Sequence, residues 1–340
     1  MRATTKDLAL AAGVSLATVD RVLNGRPGVR QDTVERVNDA IQKLSFSRNI
    51  VAANLARGKF YTFLFMLPSS GDQFLAELMA RIDEANFAFA AEMIRLEVME
   101  IPQSDPHRIA NLLGALDPNR IDGVAIMVPE SPQVRDAKTR LAERGIQTIN
   151  FISGQDTDAQ TAFVGTDNRA AGATAGRLMG RFSHQRAGSV LVIAESMQSR
   201  DSVERRLGFD AVINADFPNL TVLPSLETYG DRDRTERIIR SSFANHPEIT
   251  GVYILSSEAR VPLEAVTQLS NQTKPIIIAH ERTPFTEAAL RADKIDTLIT
   301  QDTGHLVRSA LRVLRAKVDG REILASQEKI RIEILLKENI

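Results

Sequence analysis

From Tyr61 onward, short apolar runs alternate with stretches of helical periodicity, and no other feature narrows the fold as much. Strands are expected at 61–67, 92–101, 123–128, 148–152, 162–164, 189–193, 221–226, 251–255, 275–279 and 297–300. Helices fill most of the gaps, at 74–89, 105–116, 132–143, 169–182, 203–214, 232–245 and 304–314. Runs apolar on both sides belong to strands covered on both faces, and their alternation with helices implies parallel sheets. So many strands suit two doubly wound sheets better than one. Ligands of such folds sit beyond the carboxyl ends of the strands, and a cleft between two subdomains is the natural site.

Residues 1–60 read differently. Two short helices break at Gly13, where a tight turn needs a positive φ that a residue without Cβ adopts cheaply. Thr4 is an N-cap candidate, with Asp7 at capping-box spacing. Leu8, Ala11 and Ala12 form a small apolar stripe. Ser15 can cap the second helix, whose Val19, Val22 and Leu23 turn inward and leave Leu16, Ala17, Thr18, Asp20 and Arg21 outside. A helix-turn-helix of this kind offers the start of its second helix to the major groove, although a hairpin that merely packs has the same pattern. After the loop Gly25-Arg26-Pro27-Gly28, a third helix is expected at 32–44, with Val34, Val37, Ile41 and Leu44 inward. The segment 45–59 is too short for a stable lone helix. Its Ala52, Ala53 and Ala56 would let a twin copy approach closely. Leu55 has no core of its own and reads either as a minor-groove wedge or as one exposed residue of a linker.

Charge separates the same two regions. Residues 1–60 carry ten Lys/Arg against five Asp/Glu, whereas the remaining 280 carry 32 against 38. A basic head on an acidic body points to a polyanion as one partner. The chain has no cysteine, which removes disulfide and thiol chemistry and fits a reducing compartment. Neither a signal-peptide core nor a membrane-spanning apolar run is present, so a cytoplasmic protein without membrane association is expected. Asn219-Leu220-Thr221 matches a glycosylation pattern by chance in that setting.

Enzymatic motifs are missing. There is no Gly-x-x-x-x-Gly-Lys loop, no nucleophile elbow and no His-x-x-x-His pair, and His107, His184, His246, His280 and His305 are scattered. No catalytic residue, metal or cofactor is therefore expected. Gly172, Gly176 and Gly180 recur every four residues on one helix, a spacing suited to close packing.

The stretches Thr5-Lys6-Asp7-Leu8-Ala9, Ala12-Gly13-Val14-Ser15 and Ala17-Thr18-Val19-Asp20-Arg21-Val22-Leu23-Asn24, with the later 49–58, resemble the lactose-repressor (LacI) family of bacterial transcription regulators. The body is similar to periplasmic sugar-binding proteins of the ribose-binding type. The resemblance implies an all-α helix-turn-helix head at 1–46, a hinge segment at 47–60 and an α/β effector-binding and dimerisation body at 61–340. Within that body, an N-subdomain spans about 61–161 and 292–325, and a C-subdomain about 162–291 and 326–340. It further implies a homodimeric repressor on near-palindromic double-stranded operator DNA, controlled by a small polar effector, a sugar or polyol. Other readings are a solute-binding sensor without operator function and a catabolic enzyme fused to a DNA-binding head.

By the same resemblance, Thr5, Leu16, Ala17 and Arg21 contact bases, and Arg21 has the chemistry for a bidentate bond to guanine. Ser15, Thr18, Asn24 and Thr33 hold phosphates. Ala52, Leu55 and Ala56 form the minor-groove hinge, folding in pairs on DNA. Asp72, Phe74, Ser153, Arg205, Ser256, Glu281 and Gln301 bind the effector. Thr166-Asp167-Asn168, followed by Ala171-Gly172, forms the strand-to-helix turn between subdomains and also an N-cap. The sequence departs from the family at Asp20, usually serine, and at Arg48, often proline. Glu281 stands for an aspartate and Ser256 for an asparagine. At Ile152-Ser153 an Asp-Arg pair that grips adjacent hydroxyls is missing, which favours a less hydroxylated or bulkier polar effector over a simple aldopentose.

Overall fold

The computed structural model describes residues 3–23, 27–44, 46, 60–69, 71–101, 105–154, 162–184, 186–269 and 274–340. It divides into two compact units, Met1–Phe60 and Tyr61–Ile340. Asn24, Arg48, Ala52, Leu55 and Ala56 lie outside the described residues, and with them nearly all of the expected hinge.

The head consists of α1 (Thr5–Ala12), α2 (Leu16–Leu23) and α3 (Gln31–Lys43). Both bonds of the capping box form: Asp7 N–H donates to Thr4 Oγ1, and Thr4 N–H donates to Asp7 Oδ2 at 2.8 Å. Gly13 ends α1 at φ 63°, ψ 40°. Ser15 Oγ accepts from Thr18 N–H at 3.1 Å and so starts α2. The core holds Leu8, Ala9, Ala12, Val19, Val37 and Ala40, with Val14, Val22, Leu23, Ile41 and Phe46 packed around it. Two expected positions are corrected. Ala11 is exposed and Ala9 takes its place in the core, because α2 and α3 cover the flank of α1 that carries Leu8, Ala9 and Ala12. Leu44 is exposed where α3 has already ended, and Ala40 is buried one turn earlier.

The body contains two sheets with the same winding. The first orders its strands β2-β1-β3-β4-β5, all parallel: β1 (Tyr61–Pro68), β2 (Ile94–Ile101), β3 (Gly123–Ile126), β4 (Gln147–Phe151) and β5 (Ala162–Val164). In β1, Phe63, Phe65 and Leu67 point to one core and Leu64 and Met66 to the other, the period-two pattern of a strand covered on both faces. Helices α4 (Gln73–Phe89), α5 (Pro106–Gly114) and α6 (Pro132–Glu143) supply the cover.

The second sheet follows β12-β11-β10-β9-β6-β7, with β8 also on β6. Its strands are β6 (Gly188–Ala194), β7 (Leu220–Val222), β8 (Leu226–Glu227), β9 (Ile249–Ile254), β10 (Ile276–His280), β11 (Thr297–Thr300) and β12 (Glu333–Leu335), the last antiparallel. Its helices are α7 (Asn168–Phe182), α8 (Arg200–Asp216), α9 (Arg232–Asn245), α10 (Arg260–Leu269) and α11 (Pro284–Arg291). The expected strand 221–226 is in fact β7 and β8, which bond successive parts of β6. Strand β12, helix α10 and helix α11 were not expected.

The subdomain crossings also need correction. Strand β5 belongs to the first sheet, so the chain leaves that sheet after Val164, not before Ala162. Strand β11 belongs to the second sheet, so the return follows Thr300 and not residue 292. Helix α12 (Thr303–Val318) then buries Leu306, Leu311 and Leu314 in the first sheet's core, and after the short α13 (Ala325–Glu328) the chain crosses again to β12. No helix among the described residues is long and apolar enough to cross a membrane.

Candidate functional site

Several helices that follow strands open with an aspartate cap. Asp72, Asp167, Asp231 and Asp302 each accept from a backbone N–H two or three residues on, satisfying donors that a helix start leaves over. The same device places carboxylates at the carboxyl ends of the strands, where doubly wound folds bind ligands.

The centre of the body site is Arg205 on α8, only 4% exposed. Its Nε donates to Asn168 Oδ1 at 2.8 Å, Nη1 to Leu255 O at 2.8 Å and Nη2 to Glu281 Oε1 at 2.9 Å. Gln301 Nε2 donates to the same Oε1 at 3.1 Å. Glu281 follows β10 and Gln301 follows β11, so α8 and the ends of two strands converge on one carboxylate. Because that contact needs the Gln301 amide nitrogen, its oxygen is turned away. Glu281 Oε2 and Gln301 Oε1 are buried and lack hydrogen-bond partners among the described residues. Burial raises the Glu281 carboxyl above its ordinary range, against the pull of Arg205 and Gln301. Arg205 stays charged, held so by Glu281 and Asp201 against desolvation.

Close helix packing delivers Arg205 to this position. A Cβ on Gly172 of α7 would lie 1.8 Å from Arg205 O, and one on Gly208 of α8 would lie 2.0 Å from Arg169 O. Gly176 and Gly180 press in the same way on the Phe209 backbone and the Phe217 ring. Under Arg205, the buried Tyr253 hydroxyl meets His280 Nε2 at 2.7 Å, and the Tyr253 ring stacks on Phe209 at 4.6 Å.

The loops of the two sheets meet over this cluster. Asp72 Oδ1 caps α4 at Phe74 N–H, while Oδ2 accepts from the Ser257 hydroxyl. Gln73 Oε1 accepts from Phe285 N–H at 3.2 Å, and Arg260 donates to Gly71 O at 3.1 Å. Ser256 Oγ accepts from Glu195 N–H at 2.5 Å. Of the expected effector residues, Arg205, Glu281 and Gln301 are thus joined directly, with Asp72 and Ser256 on adjoining loops. Phe74 is drawn into the first sheet's apolar core. Ser153 follows β4 and bonds back to Phe151 O through its own N–H.

Ile152 and Glu281 share a further property. Each follows the fourth strand of its winding, each donates its N–H to the next strand, and each has a left-handed φ, 62° and 63°. That conformation is strained for a residue with a Cβ, most of all for a β-branched one. Asn168 belongs to the expected strand-to-helix turn, but Glu195, Ser257 and Glu258 went unrecognised in the sequence, as did Tyr229, which sits at φ 52° beside Glu195 with Arg234 over its ring. No group of three or more His, Cys, Asp or Glu among the described residues could hold a metal ion.

In the head, Thr5, Ser15, Leu16, Ala17 and Arg21 are exposed, while Thr18 and Thr33 are half-buried. Leu16 is 47% exposed at the start of α2, whereas Val19, one turn further on, is fully buried. Residues 4–49 match the model of the lacI family of bacterial regulatory proteins, and residues 63–322 match the periplasmic binding protein domain.

The chain belongs to the periplasmic binding protein domain family, and its head to the lacI family.

This periplasmic-binding-protein body with its lacI-family head has named relatives. Catabolite control protein A of Priestia megaterium is 32% identical over 127 residues, 37% of this chain and 37% of that protein. The HTH-type transcriptional repressor PurR of Actinobacillus pleuropneumoniae is 33% identical over 128 residues, 38% of this chain and 37% of that protein. The chain therefore spans little more than a third of the length of these relatives. In fold, it is similar to the glucose-galactose binding protein GanP from Geobacillus stearothermophilus, with a TM-score of 0.71 and 17% identity over 83% of this chain and 99% of that one.

Proposed function

We propose that the chain is a DNA-binding transcription regulator, a repressor acting in the cytoplasm as a homodimer on a near-palindromic operator. Its affinity for that operator is set by a small polar effector bound at the carboxyl ends of the two sheets. One observation carries this reading. A capped helix with Leu16, Ala17 and Arg21 outward belongs to the same chain as a two-sheet body with ligand-seeking atoms at its centre. Thr5, Leu16, Ala17 and Arg21 read bases, and Ser15, Thr18, Asn24 and Thr33 hold phosphates. Ala52, Leu55 and Ala56 form the paired hinge. Arg205, Glu281, Gln301, Asp72 and Ser256 hold the effector, with Ser153 lining it, while Phe74 stands behind them in the first core. The relatives carry the names of transcription regulators, and we assign the chain no catalytic step. Effector binding changes how the two sheets meet, and that change reaches DNA because the two ligands favour different arrangements.

The experiment is fluorescence anisotropy of the full chain on fragments from upstream of its own gene. Tight binding to one near-palindrome is expected. Arg21→Ala should cost about 1–3 kcal/mol of discrimination among base variants of that site. Equal affinity for all fragments, by the parent and the variant alike, would remove the reading.

A further inference from the structure

The charge around the body site is lopsided. Among the described residues, five carboxylates act on one another there: Asp72, Glu195, Asp201, Glu258 and Glu281. Two guanidiniums answer them, and both already hold carboxylates, Arg205 on Glu281 at 2.9 Å and Arg260 on Glu258 at 2.5 Å. Asp201 acts on Arg205 without an ion pair of its own among the described residues. The side chains whose charge bears on Glu195 are Asp72, Glu258 and Asp201, all acids.

The deepest part of the site asks for the same partner by a different route. Glu281 is 3% exposed and Gln301 4% exposed. Each turns one oxygen that accepts nothing away from the Arg205 bond, and Asp72 is near enough to act on the Glu281 carboxyl. An oxygen left this way in a buried place is costly until a donor reaches it. Both are acceptors, so the missing group carries N–H or O–H. A metal ion is a poor candidate, since these carboxylates are spread around the cleft and do not converge.

Resting on the reading that effectors bind in this cleft, we propose that the effector is a small organic cation, a primary amine with further hydrogen-bond donors such as an amino sugar or a short polyamine. Its donors satisfy Glu281 Oε2 and Gln301 Oε1, and its charge offsets Asp72 and Glu195. Among the described residues, an anionic sugar acid or sugar phosphate meets here only guanidiniums already engaged, Arg205 and Arg260 by carboxylates and Arg234 by Glu227 O and the Tyr229 ring. A neutral sugar fills the acceptors but brings no charge toward Glu195, on which only acids act.

Acid should weaken the binding. Partial desolvation, reinforced by Asp72, Glu258 and Asp201, raises the carboxyl of Glu195 even though part of its side chain reaches solvent. Burial raises Asp72, with Glu258 adding to it and Ser257, Phe74 N–H and Arg260 opposing. Arg234 and Tyr229 flank the Glu195 loop, and the Arg234 guanidinium is occupied by Glu227 O and the Tyr229 ring. The carboxylates therefore lose charge at a higher pH than ordinary ones, and affinity for the cation falls with them.

The test is isothermal titration of the full chain with glucose, glucuronate, glucosamine, galactosamine, putrescine and spermidine. At least one amine should bind about tenfold or more tighter than glucose, and glucuronate weakest. Glu195→Gln should lower the amine affinity by about tenfold while leaving any glucose affinity within about twofold. Glucose or glucuronate binding tighter than every amine would overturn the proposal, as would no binding by any of the four amines. Separate arms distinguish the two readings. If glucose binds tighter than every amine and Glu281→Gln abolishes it, the cleft stands and the charge inference fails. If amine binding is unchanged in both Glu281→Gln and Arg205→Lys, the cleft itself is misplaced.

Discussion

His280 shows how a buried residue ties the site to the stability of the body. It is 1% exposed, and its ring meets the Tyr253 hydroxyl directly beneath Arg205. Burial, with the Arg205 charge adding to it, holds the imidazole well below its ordinary range, so the ring is neutral. In the unfolded chain it takes a proton near 6.5. The folded state binds that proton more weakly, so its stability contribution is full above 6.5 and is lost as pH falls below that value. The thermal midpoint should therefore drop between about pH 7.5 and about pH 5.5, and His280→Gln should flatten the drop. Glu281, with a raised carboxyl, acts in the opposite direction, which is why the difference between the two proteins is the quantity to measure. A wild-type curve parallel to the variant's would mean the ring titrates normally.

At the scale of elements, α7 and α8 set the position of the arginine. Their contact runs through Gly172 and Gly208, each against the other helix's backbone, with no side chain between to absorb an extra atom. Gly172→Ala must push the helices apart, because a backbone carbonyl at 1.8 Å cannot yield as a flexible side chain would. We expect a loss of about 1–3 kcal/mol in chemical denaturation. The ligand-induced thermal shift should shrink with it, because the Arg205 guanidinium moves with α8 relative to Glu281. An unchanged ligand response at reduced stability would show that the guanidinium is placed by its bonds to Asn168 and Leu255 alone.

For the whole body, the two sheets are linked by three crossings of the chain and, among the described residues, by polar contacts between their loops such as Ser257 to Asp72 and Arg260 to Gly71. Contacts of this kind are exchangeable, as expected of an interface that a ligand has to shift. The bond from Phe285 N–H to Gln73 Oε1 is a reporter of it. Gln73→Ala should speed hydrogen exchange at the Phe285 amide several-fold, with little change in the thermal midpoint, since no core is touched. Addition of a bound effector should slow the same amide in the parent protein. Equal exchange in parent and variant would mean the amide is protected by the start of α11 and not by the contact between sheets.

Much of this was decided along the chain itself. Strands such as β1 are apolar on both faces, so the parallel, doubly wound class follows from local pattern. The same holds for the head, where Thr4, Asp7, Gly13 and Ser15 act within one or two turns of themselves. The resemblance of the motifs around Arg205, Glu281 and Gln301 singled out three residues that the fold joins by hydrogen bonds. What the chain alone could not decide lies where distant segments compete for the same space. Strands β5 and β11 are short and apolar, and only the pairing of β5 with β4 and of β11 with β10 assigns them to their sheets. Phe74 looks like a surface aromatic in a loop, yet it is taken into the first core once α4 docks. Glu195 and Asp72 are far apart in sequence, and their mutual repulsion exists only because two separately wound sheets bring their carboxyl ends together. Electrostatic coupling depends on distance in space, and folding sets that distance.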